Sequence, residues 1–198
     1  MYGLPQRTEI SKQIFKKDIL LRFNSSASVK KSFNEDVDSI RIISELSSKS
    51  IAVSPGKVIK AFFVVEVKVR TFDFNHSIIQ ALFDMIHQNI ILVFRCEDLI
   101  KIAVCYKKLF LTEWKDSGYK LNIEGLTLDD VWQHVIESIG GFIVPDGKTL
   151  DETIAIQIKN DELDKEISAL EKKMRNTKTP SKKADFYNKI LELKGRRG

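Results

Sequence analysis

The sequence predicts an α+β fold: a mixed β-sheet of about five strands covered by helices, followed by a C-terminal helical hairpin or coiled coil. Three observations predict it. Residues 58–70 alternate with the two-residue period of a strand. Stretches 78–86 and 128–139 carry apolar stripes at helical spacing, and 156–174 repeats apolar residues at alternating three and four. With 198 residues, 43% hydrophobic and 30% charged, the chain fits one globular domain with an appendage or two small domains, and a disordered or collagen-like chain is excluded.

Residues 8–22 place Ile10, Ile14, Phe15, Ile19 and Leu20 between lysines, the pattern of a short amphipathic helix. After Asn24, Ser25 and Ser26, Ser28 is expected to cap a second helix with the stripe Phe33, Val37, Ile40 and Ile43, ending near Ser47 and Ser48. Residues 51–53 read as a brief strand and Ser54-Pro55-Gly56 as a turn. In the long strand 58–70, Ile59, Ala61, Phe63, Val65, Val67 and Val69 form the face expected to be buried. Lys60, Phe62, Val64, Glu66, Lys68 and Arg70 form a partly wet one. Asp73 or Asn75 is placed to cap a helix whose stripe is Ile78, Ile79, Leu82, Phe83 and Ile86. Two β-branched runs, 89–95 and 99–107, flank Glu97 and Asp98 and predict a hairpin, and 114–123 predicts one more strand. Thr127 and Asp130 form a capping box for a helix carrying Leu128, Val131, Trp132, Val135, Ile136 and Ile139, which Gly140 and Gly141 stop.

These elements divide the chain into a body over 1–141, a linker over 142–148 that contains Pro145 and Gly147, and a helical segment over 149–198 opened by Thr149 and Glu152. In that segment Ile156, Asn160, Leu163, Ile167, Leu170 and Met174 share a seam, with Asn160 a candidate register-setting residue. Thr177 to Pro180 breaks the helix, and Phe186, Ile190 and Leu193 make a second stripe, so the two helices either fold back as a hairpin or pair with another chain.

The formal net charge is +5 and is unevenly spread. From Lys172 onward ten basic residues face Asp185 and Glu192, a net of +8, leaving the rest of the chain at −3. Such an end suits a phosphate backbone or an acidic protein surface, and Lys182, Lys183, Arg196 and Arg197 are its candidate contacts. Two cysteines, Cys96 and Cys105, and three histidines, His76, His87 and His134, exclude a disulfide framework and a Cys-rich zinc module. No metal site and no cofactor is expected from motifs, since no Gly-rich phosphate loop, dinucleotide fingerprint or nucleophile elbow is present. No window approaches the roughly 18 apolar residues of a membrane span, and charges interrupt the first twenty residues. The expected location is the cytoplasm. Trp114 and Trp132 read as core anchors, with Trp114 an alternative contact hot spot.

The sharpest catalytic pattern is Glu66-x-Lys68, half of the magnesium-dependent nuclease signature written Asp, then Asp/Glu-x-Lys. Strand alternation puts the two side chains on one face about 7 Å apart. The signature needs a second acid on a neighbouring strand. Residues 51–53 hold none, and the periodicity places Asp38 and Glu45 on a helix, so the pair reads as incomplete.

Taken end to end, the chain resembles a bacterial and archaeal family known only as a domain of unknown function. Its opening Gly3-Leu4-Pro5-x-x-Thr8-x-Ile10-x-Lys12-x-Ile14-x-Lys16 is similar to the start of that family, and Lys60 through Arg70 to its long strand. Lys107, Glu113-Trp114 and Ile123-Glu124-Gly125-Leu126-x-Leu128-Asp129 resemble later motifs. Leu170-Glu171-Lys172-Lys173 and Ile190-Leu191-Glu192-Leu193-Lys194 resemble its closing helices. Phe15 and His87 depart from it, standing where the family favours proline. Genes of this family commonly sit beside DNA methyltransferases and DEAD/DEAH or Swi/Snf-type helicases. The resemblance therefore implies a role in restriction-modification or phage defence, without catalytic residues to carry over. The resulting expectation is a non-catalytic accessory subunit that binds a helicase or methyltransferase partner, or itself, through the C-terminal helices. The alternative is a DNA-binding or magnesium-dependent nuclease-like subunit using Glu66 and Lys68.

Overall fold

The computed structural model describes residues 2–197; Met1 and Gly198, the ends of the expected body and helical segment, lie outside the described residues. The chain divides into two compact units that meet in sequence between Ile143 and Val144.

The first unit is an α+β sandwich. A 3₁₀ turn at Gln6–Thr8 leads into β1 (Glu9–Ile14), then α1 (Lys16–Arg22), α2 (Ala27–Asp36), β2 (Val37–Ser47) and β3 (Ala61–Val69). There follow α3 (Ser77–Met85), β4 (Ile90–Cys96), β5 (Leu99–Tyr106), β6 (Lys108–Leu111), the two-residue β7 (Lys115–Asp116) and α4 (Leu128–Gly140). The sheet is mixed and has seven strands in the order β1-β2-β3-β4-β5-β6, with β7 also on β5. Only β3 and β4 run parallel, joined by α3 as a crossover. Both faces are covered. Val65, Val67, Leu92 and Phe94 meet Ile19 of α1, Phe33 of α2 and Ile78, Ile79 and Leu82 of α3. On the opposite face Phe62 packs against Trp132 of α4, ring centroids 5.1 Å apart.

Several expected elements change. The expected helix over 8–22 is helical only from Lys16, because residues 9–14 pair with β2 as an edge strand. The expected helix from Ser28 to Ser47 stops at Asp36 and is capped by Ser26, whose Oγ accepts from Val29 N at 3.3 Å. Val37 onward is β2, interrupted by register shifts between Val37 and Ser39 and between Ile42 and Ser44. Each shift adds one residue, so Val37 and Ile40 face the same core at a spacing of three, a helical interval produced by a bulged strand. Residues 51–53 are bends, not a strand; the nearest pairing is a single parallel bridge from Ser54 to Thr127. The expected strand over 114–123 shrinks to Lys115–Asp116, while Lys108–Leu111 turns back on β5 at Lys107, whose φ is +58°. On β3, Phe62 and Val64 are fully buried instead of partly wet, because α4 covers them. The α3 cap position is His76, with Asn75 Oδ1 accepting from Ser77 N at 2.9 Å.

Where the signal is local, the structure follows it. The α4 capping box forms between Thr127 and Asp130, and Gly141 ends the helix in the left-handed region at φ +68°, which a residue without Cβ adopts freely.

The second unit is a pair of helices, α5 (Leu150–Asn176) and α6 (Pro180–Gly195), with a capping box of Thr149 and Glu152 at the start of α5. Ile167, Leu170, Ile190 and Leu193 form its core, flanked by Leu163, Met174 and Phe186. No described helix is long and apolar enough to cross a membrane.

Candidate functional site

Along one face of β3 the side chains change from apolar to charged. Phe62 and Val64 are buried, the Glu66 side chain is 15% exposed and that of Lys68 is 60% exposed. The charged end of this face lies beside the start of β2, and the bulge there decides what it meets. Val37 pairs with Val69 and Ser39 with Lys68, so Asp38 is the extra residue and its carboxylate reaches Lys68 Nζ at 3.5 Å. Bulges re-aim side chains in this way and recur beside active sites. The reading of Asp38 as a helical residue is therefore corrected: it sits on the strand next to Glu66 and Lys68. Glu45 is also on β2, opposite Phe63 and away from this end.

Glu66 is held from two sides. Tyr2, 64 residues away, donates its phenol to Oε2 at 2.6 Å, and Arg95 on β4 brings Nη1 to 3.9 Å from the same oxygen. Burial pushes the Tyr2 phenol well above its ordinary range, and the hydrogen bond to Glu66 and its charge push it further, so Tyr2 remains a donor. In the parallel register Arg95 is the neighbour of Lys68, and Arg41 stands opposite Glu66. Lys16 approaches from α1, donating to the carbonyls of Asn34 at 2.9 Å and Val37 at 2.5 Å. Desolvation and then Arg70 lower its pKa, with Asp38 opposing. Two carboxylates and several cations thus share one partly open end of the sheet.

Tyr2, Asp38 and Arg95 were not legible as site residues, because each arrives from a different element. Among the described residues no three His, Cys, Asp or Glu side chains gather as a metal cluster. Two carboxylates can still suffice for Mg²⁺, which keeps several waters and takes further oxygens from a phosphate substrate.

Other candidates are placed elsewhere. Of the seam, Leu163, Ile167, Leu170, Met174, Phe186, Ile190 and Leu193 meet one another within the chain; Ile156 and Asn160 are half-buried on α5 outside that cluster. Of the basic contacts, Arg196 pairs with Glu192 and Arg197 with Asp164, while Lys182 and Lys183 are exposed. Trp114 is half-buried, edge-on to Phe72 at 5.2 Å, with Lys101 Nζ 5.3 Å from its ring centroid. Burial raises the thiol pKa of Cys96 and Cys105, which leaves them as packing residues.

No curated protein and no solved structure matches the chain. The match to DUF4391 extends from residue 2 to residue 196, nearly the whole chain, and the protein belongs to this family, described as a domain of unknown function.

Proposed function

We propose that this chain is a magnesium-dependent, nuclease-like subunit whose centre is Asp38, Glu66 and Lys68. In the setting implied by the resemblance, it works beside the methyltransferase and helicase of a restriction-modification or phage-defence system. The observation that carries the reading is the Asp38–Lys68 contact across the β2–β3 bulge, which supplies the acid that Glu66-x-Lys68 lacks in linear sequence. Asp38 and Glu66 supply carboxylate oxygens from adjacent strands, the ligand type Mg²⁺ takes. Those two carboxylates would hold the ion, whose charge would offset that of a phosphate and lower the pKa of a water beside it. Lys68, exposed and among the described residues ion-paired only to Asp38, has the reach and charge to hold a phosphate oxygen in the transition state. Tyr2 and Arg95 fix the orientation of Glu66.

The test is cleavage of end-labelled duplex and single-stranded DNA by the full-length chain with Mg²⁺, with Mn²⁺ and with EDTA. Cutting that needs the metal and falls at least about a hundredfold in both Lys68→Ala and Asp38→Asn, the scale of losing a transition-state contact, is expected. No cutting by wild type with either metal, or equal cutting by the variants, overturns the reading.

A non-catalytic accessory role is the second reading. It is favoured by Tyr187 and Leu191, exposed one turn apart on α6. A helicase or methyltransferase from the same neighbourhood, co-expressed with the chain, then co-elutes with wild type and separates from Leu191→Asp; co-elution of both rejects this surface.

A further inference from the structure

We propose that the tip of the α5–α6 hairpin is a docking surface for the phosphate backbone of double-stranded nucleic acid. Between residues 172 and 184 the chain carries Lys172, Lys173, Arg175, Lys178, Lys182 and Lys183 and no acidic residue. All six are exposed, and none of their side chains takes part in an ion pair or hydrogen bond among the described residues. The basic residues nearer the open end of the hairpin behave differently. Lys189 pairs with Glu166 at 3.4 Å, Lys194 with Glu171 at 3.9 Å, Arg196 with Glu192, and Arg197 with Asp164. Four acids of the hairpin thus neutralise these cations, and the six at the tip pair with none among the described residues.

The first turn of α6 adds to this charge. The first turn of α4 holds Asp129 and Asp130, and that of α5 holds Asp151 and Glu152, where a carboxylate complements the positive end of the helix dipole. The first turn of α6 has no acid, and Lys182 and Lys183 follow directly on Pro180 and Ser181, cations where the dipole disfavours them. The first turns of α2 and α3 also lack an acid, so at the tip it is the uncompensated cations themselves that call for a ligand outside the chain. At the tip that ligand is an anion with repeated charges.

Duplex backbone fits these residues best. Single-strand binding relies on aromatic platforms, and 172–184 contains none. Insertion into a membrane surface needs exposed large apolar side chains beside the cations. The only large apolar residue in 172–184 is Met174, which is turned into the hairpin core. Five of the six cations are lysines, point charges instead of planar forks, so the tip reads charge and not base sequence. This surface stands on the hairpin alone and does not depend on the sheet site.

The experiment is fluorescence anisotropy of the full-length chain with a short labelled DNA duplex in EDTA, where no metal-dependent cutting interferes. If all six cations contact phosphates, log K against log salt has a slope of about −5. The double variant K182E/K183E is expected to lose affinity at least tenfold and to flatten that slope, while its melting temperature stays level or rises because glutamates suit the first turn of α6. The paired-cation control K189A/K194A keeps the wild-type affinity. Equal binding by K182E/K183E overturns the proposal. So does binding of the wild-type chain to phosphatidylserine vesicles without binding to duplex, which would assign the tip to a membrane.

Discussion

Tyr2 and Glu66 are 64 residues apart and joined by one 2.6 Å hydrogen bond, which ties the start of the chain to the middle of the sheet. Replacing Tyr2 with Phe removes the donor and leaves a partly buried carboxylate with Arg95 alone. A loss of about 1–2 kcal/mol is expected near neutral pH, measured by urea unfolding. The pH dependence has a definite sign. Because the native phenol titrates above its unfolded value of ~10, the stability it contributes is fully present below that pH. It declines as pH rises beyond, since the unfolded chain releases a proton the native one keeps. Tyr2→Phe therefore shows a shallower alkaline fall in stability than wild type; an unchanged slope would reject the Tyr2–Glu66 coupling. Asp129 plays a comparable long-range part. Its carboxylate accepts from the backbone N–H groups of Lys57 at 2.6 Å and Ile59 at 2.8 Å, pinning the loop before β3 to the first turn of α4. Desolvation opposes its ionisation, but these amides and Lys60 outweigh it and hold its pKa down. Gly56 is needed there because a Cβ would meet both the Asp129 carboxylate and the Ile59 carbonyl, the latter at 2.6 Å.

At the scale of elements, α4 and β3 share an aromatic contact with a defect. Trp132 is 3% exposed and packs on Phe62, yet its indole N–H has no hydrogen-bond partner among the described residues. Trp132→Phe keeps a six-membered aromatic ring against Phe62 and removes the unpaired donor together with the five-membered ring that carries it, so the unfolding free energy from urea titration is expected to lie within about 1 kcal/mol of wild type. A cost approaching the roughly 3–5 kcal/mol of a Trp→Ala cavity would overturn that expectation. The boundary between α2 and β2 shows the opposite relation between sequence and element. Ser26 caps the helix locally, but its end at Asp36 is set by pairing of Val37 onward with β3 more than twenty residues later. The two bulges in β2 hide the strand period, so intervals of three and four mimic a helix in the linear sequence.

Across the whole molecule, charge is counted by the sequence and allocated by the fold. The net of +8 from Lys172 onward is a property of composition. That Lys189, Lys194 and Arg197 meet acids of α5 while Lys182 and Lys183 do not depends on how α5 and α6 pack, whereas Arg196 meets Glu192 one turn back on its own helix. The sheet site divides in the same way. Glu66 and Lys68 were visible as a strand pair, because alternation is encoded within three residues. Asp38, Tyr2 and Arg95 were not, because they are brought in by a bulge, by the chain start and by a parallel neighbour. By itself the sequence determined the α+β class, the α4 and α5 caps, the β4–β5 hairpin and the break at 177–180. Each of these rests on contacts or dihedral preferences within a few residues. Only the tertiary structure decided that residues 37–47 are a strand, that both faces of β3 are covered, and that an aspartate stands beside Lys68. Strand pairing and burial are interactions between distant segments, and a local period carries them only when no bulge intervenes.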